Sequence, residues 1–167
     1  MADPFDPIAI LQALDRHGVS YVVVGALARV IQGSDELTDG IDVVPAMKEE
    51  NLRRLAAALT DLDARRAGRA VSFDRDLGPD AVLELSSSAG ELKLVPEPVG
   101  TAGYDDLRRG ASREPLGRGV RPSVASPGDL ARMLAALDRV QDREPLQTMR
   151  RVIELDRGRH RGLSLER

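Results

Sequence analysis

HGVSYVVVGALARVIQGSDELTDGIDVVP, residues 17–45, contains two apolar runs separated by a short helical pattern and a polar loop. Residues 21–24 (YVVV) are rich in β-branched side chains and lack polar alternation, which predicts a strand buried on both faces. Gly25 ends that run, and residues 26–32 (ALARVIQ) suit a short helix stopped by Gly33. Residues 41–44 (IDVV), just before Pro45, predict a second buried strand. Asp42 is the one charge inside this apolar run, and a buried carboxylate without a partner is costly. Two readings of Asp42 stand: a structural partner of Arg29 or Lys93, or a functional group on the strand.

The pattern extends outward in both directions. Upstream, Pro7, Ile8, Leu11 and Leu14 predict a helix over 7–17, with His17 placed favourably for the dipole at its C-terminal end. Downstream, residues 48–62 set Leu52, Leu55, Ala56, Leu59 and Leu62 on one stripe of an amphipathic helix. Residues 81–85 and 91–95 flank the Ser-rich turn 86–90 and predict a β-hairpin. A short helix is expected near 104–110, and an edge strand over 120–124, where Pro122 removes a donor. Ser126-Pro127 opens a helix to about residue 137, and a final helix is expected over 143–157. The domain expectation is an α/β core over 1–125, helices 126–157 packed on the same domain, and a flexible basic tail from 158 to 167.

Composition narrows the chemistry. A chain of 167 residues is the size of one domain and can bury a core. Lys and Arg total 24 against 27 Asp and Glu, so any nucleic-acid contact has to be local. Aromatics are 2% of the chain, which leaves no base-stacking platform of the single-strand-binding kind. The absence of Cys excludes disulfides, thiolate metal sites and cysteine nucleophiles. With His17 and His160 the only histidines, a His-rich metal site or a Ser-His-Asp triad is poorly supplied. No apolar run approaches the ~20 residues of a membrane span, so no membrane partner and a cytoplasmic location are expected. Arg132, Arg139, Arg143, Arg150 and Arg151 crowd the last two helices, interleaved with Asp138, Asp142, Glu144 and Glu154. They read either as an ion-paired solvated face or as a site for RNA or nucleotide phosphates.

Val24-Gly25-Ala26 is followed, after the thirteen residues 27–39, by Gly40-Ile41-Asp42. This arrangement resembles the polymerase-beta-like nucleotidyltransferases, whose signature is an apolar residue, Gly, Gly or Ser, a helical gap, and two acidic residues one apart on the next strand. Residues 17–45, together with Gly90-Glu91-Leu92-Lys93-Leu94 and Gly103-Tyr104-Asp105-Asp106-Leu107, look like minimal bacterial nucleotidyltransferases and AbiEii-type toxins of toxin-antitoxin systems.

The resemblance implies the nucleotidyltransferase fold, a small mixed sheet flanked by helices with a C-terminal helical pair. It implies nucleotidyl transfer from a nucleoside triphosphate to RNA or protein, with Mg²⁺ if the protein is active, and an antitoxin-type protein partner. Hard carboxylate oxygens hold Mg²⁺ beside phosphates, and alternate strand residues share a face. By resemblance Asp42 is the catalytic and metal-binding carboxylate, while Gly40 and Lys93 stand where the other two carboxylates are expected. Asp39 is the alternative metal ligand, through a bulge at Gly40. Gly25, Ala26, Gly33, Ser34, Thr38 and Lys93 are the implied nucleotide-binding residues. With two of three carboxylates replaced, the alternative is a catalytically inactive relative that binds nucleotide, nucleic acid or a protein partner.

Overall fold

In the computed structural model, which describes residues 4–78 and 80–165, the two apolar runs become neighbouring strands of one mixed sheet. Along the chain the helices are α1 (Pro7–Arg16), α2 (Gly25–Ile31), α3 (Glu49–Asp61), α4 (Phe73–Asp76), α5 (Tyr104–Leu107), α6 (Pro127–Leu137) and α7 (Arg143–Leu165). The strands are β1 (Tyr21–Val24), β2 (Gly40–Pro45), β3 (Arg65–Arg66), β4 (Arg69–Ala70), β5 (Leu83–Ser87), β6 (Gly90–Leu94), β7 (Ser112–Arg113) and β8 (Ser123–Val124). They order as β4-β3-β5-β6-β2-β1-β8-β7. β2 runs antiparallel to β1 and parallel to β6, and β5 and β6 form the expected hairpin.

Alternation separates the two faces of the sheet. Ile41, Val43, Leu83, Leu85, Leu92 and Leu94 are buried and join α1 and α3 residues in one core. At roughly 25 cal/mol per Å² of apolar area, these aliphatic side chains supply the main driving force that holds the sheet. The opposite face of β5 and β6 carries Glu84, Ser86, Glu91 and Lys93, none of them buried. β1 is buried throughout because α2 packs on its second face, as the unalternated valine run requires.

Several elements differ from expectation for identifiable reasons. In α3 the inward residues are Asn51, Leu55, Ala58 and Leu59, while Ala56 is exposed and Leu52 half-buried. The helix is turned because Asn51 is drawn inward: its Oδ1 accepts from Ser20 N at 2.7 Å, and its Nδ2 donates to Ser20 O and Ala46 O at 3.0 and 2.8 Å. The first hairpin strand lies at Leu83–Ser87 rather than 81–85, closed by Ser87 Oγ donating to Gly90 O. The 120–124 segment shortens to β8, which is covered by β7 and so is not an edge. The helix expected over 104–110 is a single turn, α5. The hairpin β3–β4 was not foreseen, since its two-residue strands show no periodicity; Ala67 and Gly68 turn it at φ of 49° and 79°. The last helix does not stop at 157 but continues to Leu165. His17 caps α1 and its Nε2 meets Asp61 at 2.6 Å. No helix among the described residues is long and apolar enough to cross a membrane.

Candidate functional site

Pairing of β1, β2, β6 and β5 sets four residues in one row across the sheet: Val24 opposite Asp42, Asp42 beside Lys93, and Lys93 opposite Glu84. Two residues along, Gly40 lies beside Glu91. Because paired residues and i, i+2 residues share a face, Gly40, Asp42, Glu84, Glu91 and Lys93 all point to the same side. That side is an open cleft of about 350 Å³, bordered also by Ala26, Leu37, Thr38 and Asp39.

Gly25 completes the floor. It begins α2 at φ +74°, and a Cβ placed there would collide with the Asp42 carboxylate and stand 2.9 Å from its Cγ. Both the backbone conformation and the space therefore favour glycine. The glycine turn and the strand carboxylate, far apart in sequence, are in direct contact.

Among the described residues no hydrogen bond or ion pair engages the Asp42 carboxylate, yet no buried polar atom is left unpartnered, so its oxygens reach the solvent of the cleft. Burial pushes its carboxyl above the usual range; Lys93 and Arg29 pull it down, and Glu84 pushes it further up. Lys93 Nζ lies 3.8 Å from Glu84 Oε1. Arg29, one of the two partners considered for Asp42, instead makes a fork onto Glu36, with two bonds of 2.8 Å. Arg29 holds the Glu36 carboxyl below its usual range, helped by the Ser34 hydroxyl, which donates to Glu36 Oε2 at 2.7 Å.

Of the sequence-derived positions, Ala26, Thr38, Asp39, Gly40, Asp42 and Lys93 come together at the cleft, with Gly25 beneath Asp42. Gly33 and Ser34 do not line it. Gly33 is the turn after α2 and faces Val152 of α7, and the Ser34 hydroxyl is spent on Glu36. Thr38 donates to Gly40 O at 2.8 Å, fixing the entry into β2. Glu84 and Glu91 belong to the cleft and were missed. The alternation in Glu91-Leu92-Lys93-Leu94 signals that Glu91 and Lys93 share a face, whereas Glu84 needs the hairpin register to be found.

Magnesium fits this donor set poorly. A metal would have Asp42 as its inward carboxylate, with no side chain at Gly40 and an ammonium beside it at Lys93. Among the described residues no three His, Asp or Glu side chains are grouped to hold a metal ion. A charge pair at about 4 Å near a surface is worth roughly 4 kcal/mol, so exchanging an attracting carboxylate for an ammonium swings a divalent ion's binding by more than that.

The fold has solved counterparts. The candidate nucleotidyltransferase TM1012 of Thermotoga maritima superposes with a TM-score of 0.57 at 20% identity, covering 83% of this chain and 86% of that one. The antibiotic-resistance factor ANT(2'')-Ia superposes with a TM-score of 0.55 at 15% identity, covering 95% of this chain and 93% of that one. No family model matches the sequence, and no curated protein matches it. The chain therefore has the nucleotidyltransferase fold, an open mixed sheet with helices. Identities this low establish architecture, and function has to be argued from the cleft.

Proposed function

We propose that this chain is a nucleotidyltransferase-fold protein that acts by binding a macromolecular partner and does not transfer nucleotidyl groups. The observation that carries this reading is the pairing of Lys93 with Asp42 beside the bare Gly40. Lys93 supplies a fixed positive charge in the position where a metal-dependent transferase needs an anionic ligand. The cleft border holds Asp39, Asp42, Glu84 and Glu91 against the single Lys93. A polyanionic triphosphate entering without a metal meets net repulsion there. A free nucleotide is accordingly a poor occupant of the cleft, and a macromolecule that makes its contacts on a broader surface outside the cleft is the better partner. A cytoplasmic location agrees with this role.

A second reading, nucleotidyl transfer to RNA or protein, is favoured by one observation. Gly25 is shaped to the Asp42 carboxylate, and Glu91 stands beside Gly40, so a second carboxylate lies on the neighbouring strand. Membership of an AbiEii-type toxin-antitoxin pair, with its antitoxin-type partner, is carried by the sequence resemblance and belongs to this second reading.

The two readings separate on incubation with labelled nucleoside triphosphates, Mg²⁺ or Mn²⁺, and total RNA and protein. The binding reading predicts no label above an Asp42→Ala control, and no thermal shift with triphosphate and metal together. Label transfer that Asp42→Ala abolishes establishes the second reading instead.

A further inference from the structure

The arginines crowded on the last two helices divide into two kinds. Arg132 pairs with Asp106 and Asp129 at 3.0 Å each, and Arg139 grips Asp142 at 2.6 Å. Arg143, Arg150, Arg151, Arg157, Arg159 and Arg161 are all exposed and, among the described residues, have no ion-pair partner. All six lie on α7. At about 100° per residue, Arg143, Arg150, Arg157 and Arg161 fall within about 40° of one another around the helix, a stripe about 27 Å long. Glu154 is the one acid in the stripe, between Arg150 and Arg157.

We propose that this face of α7 binds the phosphate backbone of a nucleic acid. Six unpaired guanidiniums against Glu144, Glu154 and Asp156 give the helix a positive balance within a chain of net charge −3, so the charge is concentrated rather than general. Guanidinium is the side chain best matched to phosphate oxygens, and a row of such groups neutralises successive phosphates with release of counterions. From residue 154 to 162 every residue of α7 is exposed, so this part of the helix is open to a large partner. A membrane surface fits less well. Among the described side chains of α7, Leu155 is the one large exposed apolar residue, and they form no apolar face of the kind an interfacial helix buries. Val152 of the same helix packs against Gly33, the turn after α2, which ties α7 to the rest of the domain. The proposal holds whether or not the cleft transfers a nucleotidyl group, because binding and transfer are read separately.

The test is fluorescence anisotropy of the full chain with a labelled single-stranded RNA and a labelled duplex, at salt concentrations of roughly 50 and 200 mM. Four phosphate contacts predict that affinity falls about 50-fold for the single strand and about 150-fold for the duplex across that range. Replacing Arg143, Arg150, Arg157 and Arg161 together with Gln should remove most binding and flatten the salt dependence. Circular dichroism should show unchanged helix content, since Gln is a good helix former. Arg53→Gln with Arg54→Gln, on α3, should leave binding intact. Failure of the native chain to bind either nucleic acid overturns the proposal, as does undiminished binding by the fourfold variant. Capture by anionic lipid vesicles without nucleic-acid binding overturns it in favour of a membrane surface.

Discussion

Alanine at position 25 sets two separable costs against the fold, and the structure gives a size to each. Gly25 sits at φ +74°, where a non-glycine residue costs about 1–2 kcal/mol. The new Cβ would lie 2.9 Å from Asp42 Cγ and 3.1 Å from its Cβ, with the carboxylate oxygen closer still. Overpacking of this kind costs about 1–3 kcal/mol, so the sum is about 2–5 kcal/mol. For a domain of this size that corresponds to a fall in Tm of roughly 4–20 °C. Asp42→Ala removes the two closest contacts and leaves the dihedral cost, so the double variant should recover about 1–2 kcal/mol of the loss. Urea or thermal unfolding followed by circular dichroism on the four proteins of the cycle gives the coupling. Additive costs, or a loss below about 0.5 kcal/mol for Gly25→Ala alone, would refute the contact between the glycine turn and Asp42.

Two further substitutions probe the same region. Burial raises the Asp42 carboxyl above its unfolded value, so its charged form opposes folding. That penalty is absent below about pH 4, grows as pH rises through the raised value, and is complete above it. Asp42→Asn should therefore raise Tm at pH 7, and the gain should vanish as the pH is lowered toward 4; a gain independent of pH contradicts the assignment. Lys93→Met should move the Asp42 carboxyl further up, because Lys93 is the leading charge that pulls it down; carboxyl carbon NMR titration reads the shift directly. Outside the cleft, Asn51→Leu should cost about 2–4 kcal/mol in urea unfolding, because it strips partners from the backbone of Ser20 and Ala46. Asn51→Asp should be no milder, since a carboxylate then faces both carbonyls.

The central strands were legible because their signals are strong and local. An unbroken valine run, a glycine and an aspartate inside an apolar strand leave few arrangements that keep the charge near water, and Gly25 touching Asp42 is one of them. The amphipathic character of α3 was equally plain, but its rotation was not. Hydrophobic periodicity cannot weigh a buried amide that satisfies three backbone groups, as Asn51 does. Glu84 was hidden for a topological reason: its place beside Lys93 depends on hairpin register, and a slip of one residue would turn it to the core. The family resemblance implied nucleotide binding at Ser34, yet the acid two residues on, Glu36, captures its hydroxyl. The extent of α7 was underestimated because Gly158 reads as the start of a tail. An isolated helical glycine costs only about 1 kcal/mol, and the arginines around it favour helix.

The claim that Lys93 takes the place of a metal ligand is tested most directly by Mn²⁺ titration of the protein, followed through water-proton relaxation. The account predicts no Mn²⁺ binding by the native chain that depends on Asp42, and the appearance of binding in a Gly40→Asp, Lys93→Asp variant. Mn²⁺ binding by the native chain that disappears in Asp42→Ala would contradict it and return the cleft to metal-dependent chemistry.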